Sequence, residues 1–187
     1  DVTLDADTAH PRLQILNMGK TMKDSGTFRS VRRSQLRFDC ELFVLAKEGC
    51  TSGRHYWQVD IGQRRSWTLG ITSGVETRKG TLTLSPENGF WTIGLMYGVD
   101  YWAYTIPWCS LGVSGKLQRV GVFLDLPGKE LRFYDVREGR ALHTFSMAGG
   151  SSQAETFFPF FSMGPAGAKP ENEPQRIVEG FEDEEDD

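Results

Sequence analysis

In His55-Tyr56-Trp57-Gln58-Val59-Asp60-Ile61 the side chains divide by parity. Trp57, Val59 and Ile61 point one way, and Tyr56, Gln58 and Asp60 the other. A period of two with one apolar face is the pattern of a half-buried strand. Trp67-Thr68-Leu69-Gly70-Ile71 repeats it, with Trp67, Leu69 and Ile71 inward. Phe90 to Tyr97 repeats it again, with Trp91, Ile93 and Leu95 on one face. Arg119-Val120-Gly121-Val122-Phe123-Leu124 is a short apolar run of the kind found in central strands. Leu131-Arg132-Phe133-Tyr134 follows it after Pro127-Gly128, which predicts a hairpin.

Turn signals separate these stretches: Gly62-Gln63, Ser73-Gly74, Pro86-Glu87-Asn88-Gly89, Gly112 to Gly115, Pro127-Gly128 and Glu138-Gly139. Many short strands at such spacing predict a sandwich or barrel. No helix-period stretch exceeds about three turns. A short helix near residues 5–10, capped by Asp5 or Asp7, is expected. Ser146 to Glu155 reads as a Gly/Ser loop, and Gly164 to Pro174 as a linker or long loop. Arg176-Ile177-Val178 is expected to form a last edge strand. The acidic run Glu182 to Asp187 has nothing to bury and is expected to be disordered.

The 187 residues, 39% apolar and 12% aromatic, suit one domain with a packed core. Apolar runs of only four or five residues leave no segment to span a membrane. The chain starts at Asp1 without a charged-then-apolar leader and reads as a piece of something longer. Its net charge of −4 hides a division. Residues 1–164 hold nineteen bases and sixteen acids, +3; residues 165–187 hold two bases and nine acids, −7. Cys40, Cys50 and Cys109 form no Cys-x-x-Cys pair and no disulfide framework, and no Asn-x-Ser/Thr acceptor occurs. A reducing, cytoplasmic compartment is expected.

Tests for chemistry come back mostly empty. Gly70-Ile71-Thr72-Ser73-Gly74 matches a nucleophile elbow only loosely, with Thr72 at its centre and no helix after it; a polar loop explains it better. His55 stands far from any Cys or acid pair of ligand spacing, so a hydrogen-bonded structural histidine is expected and no metal. There is no Walker sequence and no Gly-x-Gly-x-x-Gly after a strand, so no cofactor is expected. The +3 body is too weakly basic for a nucleic-acid footprint. Arg64, Arg65 and Arg78, in loops flanking adjacent strands, are candidates for a small anion-seeking patch.

A binding surface is the better candidate. Tyr97, Tyr101, Trp102, Tyr104 and Trp108 crowd one short segment. A sandwich cannot bury all of them on one side, and aromatics left on loops anchor protein recognition. If Trp67, Leu69, Trp91, Ile93 and Leu95 form the core, Thr68, Thr92, Gly94 and Met96 line the opposite face.

Several longer motifs carry a resemblance. Val2-Thr3-Leu4-Asp5-Ala6-Asp7-Thr8-Ala9-His10-Pro11, Ser52 to Asp60, Leu84-Ser85-Pro86-Glu87-Asn88-Gly89-Phe90-Trp91, and Arg119 to Asp125 followed by Phe133-Tyr134 occur in that order. Together they resemble the PRY–SPRY (B30.2) domain of tripartite-motif ubiquitin ligases, butyrophilins and pyrin, over roughly residues 1–163. The resemblance implies a bent sandwich of two antiparallel sheets, an all-β fold with a short N-terminal PRY segment, and no catalysis by the domain. It implies a target-recognition role, with a short protein segment held in a shallow, loop-framed pocket. The aligned contact positions are Thr68, Gly94, Met96 and the neighbourhood of Phe160 and Phe161. Gly94 and Met96 stand where some relatives carry tryptophan, so an antibody-Fc type of ligand is not expected. Ala6 replaces a common proline, as in pyrin-like members, and Leu126-Pro127 replaces the usual Tyr-Glu. In butyrophilins the domain's basic pocket binds small pyrophosphates; the basic candidates here are Arg54, His55, Arg65, Arg78 and Lys79.

The expected organisation is a PRY segment over 1–50, a SPRY core over 51–163, a linker with a closing edge strand over 164–178 and an acidic tail over 179–187. The expected ligand-binding residues are Arg64, Arg65, Thr68, Thr72, Arg78, Thr92, Gly94, Met96, Tyr101, Trp102, Trp108 and Phe160. The expected partner is a protein or peptide, with neither nucleic acid nor membrane in contact. The domain itself is expected to be a monomer, within a parent made dimeric by an upstream coiled coil. The alternative is a butyrophilin-type domain sensing a small phosphorylated ligand. A hydrolase acting through Thr72 or Ser73 is a distant third.

Overall fold

Each alternating stretch becomes a strand in the computed structural model, which describes residues 2–32, 34–73, 78–98, 100–113, 115–147, 155–165, 171 and 173–178. The strands are β1 (Leu13–Leu16), β2 (Thr21–Asp24), β3 (Phe43–Leu45), β4 (Arg54–Asp60), β5 (Trp67–Ser73), β6 (Phe90–Met96), β7 (Asp100–Ala103), β8 (Cys109–Ser110), β9 (Arg119–Asp125), β10 (Glu130–Asp135), β11 (Arg140–Ser146), β12 (Phe157–Ser162) and β13 (Gln175–Val178). They form two antiparallel sheets. The first has the order β1-β2-β13-β4-β9-β10-β11 and the second β3-β12-β5-β6-β7-β8. Trp57, Val59, Val122, Leu124 and Phe133 from the first sheet meet Trp67, Leu69, Ile71, Ile93 and Phe161 from the second in one buried core.

The β9–β10 hairpin forms as expected, with Glu130 opposite Asp125. The Asp125 carboxylate accepts the Gly128 N–H inside the turn, at 3.0 Å. Two expectations fail. Residues 6–9 form turns, not a helix. The Asp5 carboxylate accepts the N–H of Asp7 at 3.0 Å, a turn-forming bond that competes with helix capping. And β13 is not an edge strand: it lies between β2 and β4, hydrogen-bonded into the middle of the first sheet. Its low apolar content hid this, because, of its two buried residues, Gln175 and Ile177, only Ile177 is apolar. Residues 148–154, 166–170, 172 and 179–187, which carry much of the expected loop, linker and acidic tail, lie outside the described residues.

A second core occupies the far side of the second sheet. All of β5 from Trp67 to Thr72 is buried, polar parity included. Phe38, Phe43, Leu45, Phe90 and Phe160 pack there, with Leu82, Leu84 and Phe158 against them. The Phe43–Phe160 and Phe90–Phe160 centroids lie 4.7 and 5.4 Å apart in edge-to-face geometry, the favoured aromatic arrangement. The outer face of this sheet is therefore half roofed and half open.

Two predictions follow from this packing. Phe160→Ala should lower stability in urea unfolding by about 3–5 kcal/mol, the cost of a large buried cavity; a loss under about 1 kcal/mol would show the second cluster to be peripheral. The second concerns acid. Burial, then the neighbouring Arg12 charge, push the His10 pKa below 6.5. His10 Nδ1 accepts the Arg12 N–H at 3.0 Å, so the folded state favours the neutral ring. A base with a depressed folded pKa stabilises the fold above its unfolded pKa and loses that contribution as pH falls through it. Burial lowers His143 in the same sense. The urea midpoint should drop between about pH 7 and about pH 5, and less so in His10→Gln.

Candidate functional site

Strand register sets the site's floor. Phe43, Ser162, Thr68, Gly94 and Trp102 stand side by side across β3, β12, β5, β6 and β7. Cross-strand partners share a face. Met96, two residues beyond Gly94, and Tyr104, two beyond Trp102, share it as well. Over this row opens a pocket of about 270 Å³, whose lining includes Thr68, Met96, Tyr104 and Trp108. Leu82 and Leu84 wall one side, and Gly164 and Pro165 another.

Gly94 lets the floor pack closely. A Cβ there would sit 2.6 Å from the Trp67 carbonyl, 2.7 Å from the Tyr104 hydroxyl and 2.9 Å from Thr68 Oγ1. The Tyr104 and Thr68 hydroxyls hydrogen-bond to each other over the glycine, and burial raises the Tyr104 pKa. Tyr104 also carries the ring of Trp108 at 4.7 Å, and the Trp102 ring stands 6.0 Å from Trp108. Trp108 is thus held by two aromatic neighbours while staying 49% exposed, next to Ile106 at 68%. The pocket's charged lining residue, Glu41, accepts the Leu82 N–H at 3.0 Å and so fastens the wall. The chemistry on offer is apolar contact, with hydroxyls and strand backbone for orientation. Among the described residues no group of three His, Cys, Asp or Glu side chains is gathered as a metal would need, and no helix is long and apolar enough to cross a membrane.

The structure brings Thr68, Gly94, Met96, Trp102 and Trp108 together here. It sets the other sequence-based candidates elsewhere. Phe160 is fully buried at the centre of the second cluster. Thr92 and Thr72 are fully buried, and the Thr72 hydroxyl donates to the Gly89 carbonyl at 2.7 Å, so Thr72 is not a surface nucleophile. Tyr101 belongs to the main core, where its hydroxyl accepts the Leu117 N–H. The alternation rule assigned these residues to the right face or segment but could not see the roof of phenylalanines above it.

Arg64, Arg65 and Arg78 do not come together in one patch. Arg78 lies over the Phe38 ring, 5.4 Å from its centroid, and donates to the Leu36 carbonyl. Arg65 is exposed, donates to the Tyr97 carbonyl and borders a separate hollow with Asp100 and Lys116. Arg64 is 2% exposed. It donates to the carbonyls of Ser66, Met163 and Glu173 at 3.1, 2.6 and 2.7 Å and pairs with Glu171 at 3.4 Å. It clamps both ends of the segment between β12 and β13, the segment that supplies Gly164 and Pro165 to the pocket wall. An Arg-Arg pair in sequence suggests a solvated face; nothing in the sequence pairs Arg64 with carbonyls about a hundred residues away.

Sequence reasoning missed Leu82 and Leu84 as site residues, and it counted Tyr104 in the aromatic segment without including it among the expected ligand-binding residues. Tyr104 was legible, being two residues from Trp102 and directly after β7. Leu82 and Leu84 show a short alternation in Thr81-Leu82-Thr83-Leu84, but they form no strand.

Comparison with known proteins agrees with this architecture. Residues 54–175 match the SPRY domain family and residues 2–50 the SPRY-associated domain, PRY. Butyrophilin subfamily 1 member A1 of Bos taurus is 40% identical over 164 residues, 88% of this chain and 31% of that protein. Zinc finger protein RFP of Homo sapiens is 38% identical over 169 residues, 90% of this chain and 32% of that protein. E3 ubiquitin-protein ligase TRIM58 of Mus musculus is 38% identical over 146 residues, 78% of this chain and 30% of that protein. The chain thus spans about a third of the length of these relatives. Among solved structures, stonustoxin superposes with a TM-score of 0.77 at 24% identity, covering 95% of this chain and 28% of that one. The TRIM65 PSpry domain superposes at 0.75 and 21% identity, covering 96% of this chain and 90% of that one. At such identities these two structures speak to the fold alone. The register, the double-sided second sheet and the matched segments lead to one assignment: the chain belongs to the SPRY domain family, whose members are protein-interaction modules, with a PRY segment at its start.

Proposed function

We propose that this domain is the target-recognition module of a tripartite-motif type E3 ubiquitin ligase, acting in the cytoplasm and binding a short protein segment in the pocket over Thr68, Met96 and Tyr104. The observation that carries this reading is Trp108, half exposed and braced by Tyr104 and Trp102 at the rim of a mostly apolar pocket. A rigid, partly exposed tryptophan beside an apolar depression is the usual composition of an interaction hot spot. Affinity would come from apolar side chains of the target seated on Met96 and Leu82, with Trp108 closing over them. The ligase itself would reside in other parts of a longer parent, held together as a dimer by a coiled coil, while this domain acts as a monomer.

The second reading, a butyrophilin-type domain sensing a small phosphorylated ligand, is favoured by the 40% identity to a butyrophilin. Its weakness is electrostatic. Phosphate recognition needs several free cations converging on one point. Arg64 is engaged by carbonyls and Glu171, and Arg78 and Arg65 lie at separate places.

Peptides selected from a random display library on the wild-type domain provide the test. Met96→Asp and Trp108→Ala should each weaken such peptides by about tenfold or more, the effect of losing a hot-spot contact. Undiminished binding by both variants would move the site elsewhere. Calorimetry with inorganic pyrophosphate should give no heat; salt-sensitive binding would favour the second reading.

A further inference from the structure

The pocket under Trp108 is charged at one point. Among its described lining residues there is no lysine, arginine or histidine, and Glu41 is the only carboxylate. Burial raises the Tyr104 pKa and so keeps that phenol neutral.

Glu41 is held from two directions. Its carbonyl accepts the Phe43 N–H at 2.8 Å, and its carboxylate Oε2 accepts the Leu82 N–H at 3.0 Å. Among the described residues, no cation pairs with this carboxylate, and Oε1 is left without a donor. The bases of the neighbouring loop are directed elsewhere. Lys79 donates to the carbonyls of Ser34 and Arg37 at 2.9 and 2.8 Å. Arg78 lies over the Phe38 ring and donates to the Leu36 carbonyl. A fixed, part-buried carboxylate beside apolar walls gains from a cation that a partner brings.

The rest of the lining suits the body of such a side chain. Leu82, Leu84 and Met96 offer hydrocarbon contact. Trp108, 49% exposed and braced by Tyr104, offers the aromatic face that attracts cations best. Lysine and arginine carry a charged head on an apolar stem and lay that stem along hydrophobic surface. The volume of about 270 Å³ falls just below the range of about 300–1,000 Å³ of small-molecule sites, which suits one long side chain better than a whole metabolite. The same carboxylate repels phosphate.

We propose, on the reading that target recognition takes place in this pocket, that the target segment is anchored by a basic side chain, its stem on Leu82 and Met96 and its cation between the Glu41 carboxylate and the Trp108 indole. Glu41 is then a specificity-determining residue as well as a fastening of the wall.

Glu41→Gln separates these two roles, because an amide oxygen still accepts the Leu82 N–H while the charge is gone. Peptides are selected from a random display library on the wild-type domain and on Glu41→Gln. Wild type should enrich lysine or arginine at one fixed position, and Glu41→Gln should not. Replacing that basic residue by norleucine keeps the stem and removes the cation. It should weaken binding to wild type by about tenfold, and Glu41→Gln should bind both peptides equally. Exchanging lysine for arginine in the peptide distinguishes an ammonium from a stacked guanidinium; a preference for either that disappears in Glu41→Gln upholds the proposal. Selected peptides without a basic residue, or equal binding of the basic and norleucine peptides to wild type, overturn it. If those peptides still lose about tenfold in Met96→Asp, the pocket remains the recognition site and the cation alone is wrong. If they bind Met96→Asp and Trp108→Ala undiminished, site and cation fall together. The norleucine comparison needs no protein variant, so it decides the matter even if Glu41→Gln does not fold.

Discussion

The phenylalanine cluster around Phe160 is the constraint on which the rest depends. A β-sandwich of this kind needs one buried face per sheet, yet β12 presents phenylalanines on both, and the Thr/Gly face of β5 is buried as well. The far side of the second sheet must therefore be roofed, and Phe38, Phe43 and Phe90 close over Phe160 to do so. The roof stops where Thr68, Gly94 and Met96 come into register. Beyond that line, among the described residues, Trp108, Leu82, Leu84 and the chain at Gly164 and Pro165 border the sheet. The pocket is what remains of an outer face after its apolar half has been buried.

The pocket's walls are loops, and loops must be held to be selective. Three kinds of contact do this. Glu41 fixes Leu82 through a backbone N–H. Tyr104, buried and bonded to Thr68, gives Trp108 a rigid base. Arg64 gathers carbonyls from both ends of the segment joining β12 and β13 and adds Glu171. A buried guanidinium is costly unless its donors are used, and each of the three Arg64 nitrogens has a partner here, so the side chain acts as a structural clamp.

Much of the fold was legible because strands advertise themselves by parity. Trp57-x-Val59-x-Ile61 and Trp67-x-Leu69-x-Ile71 fixed which way each strand faces, and Pro127-Gly128 announced the hairpin. The site was half legible for the same reason: parity grouped Thr68, Gly94 and Met96, and the resemblance to SPRY domains pointed to the same residues. Parity is silent on what lies above a face. Thr92, Thr72 and Phe160 have the correct parity for the pocket but sit under the phenylalanine roof. Long-range partners were equally invisible. Arg64 looks like a surface cation beside Arg65, and Arg176-Ile177-Val178 looks like a weak edge. Only tertiary pairing turns the first into a clamp and the second into an interior strand.

The central claim is that recognition takes place on the open half of this sheet and not on its roofed half. Nuclear magnetic resonance of the Met96 methyl and the Trp108 indole, with the Phe160 ring as the roofed control, tests it most directly during titration with a library-selected peptide. The account predicts large, saturable shifts at Met96 and Trp108 and none at Phe160. Binding that leaves Met96 and Trp108 unmoved would contradict it.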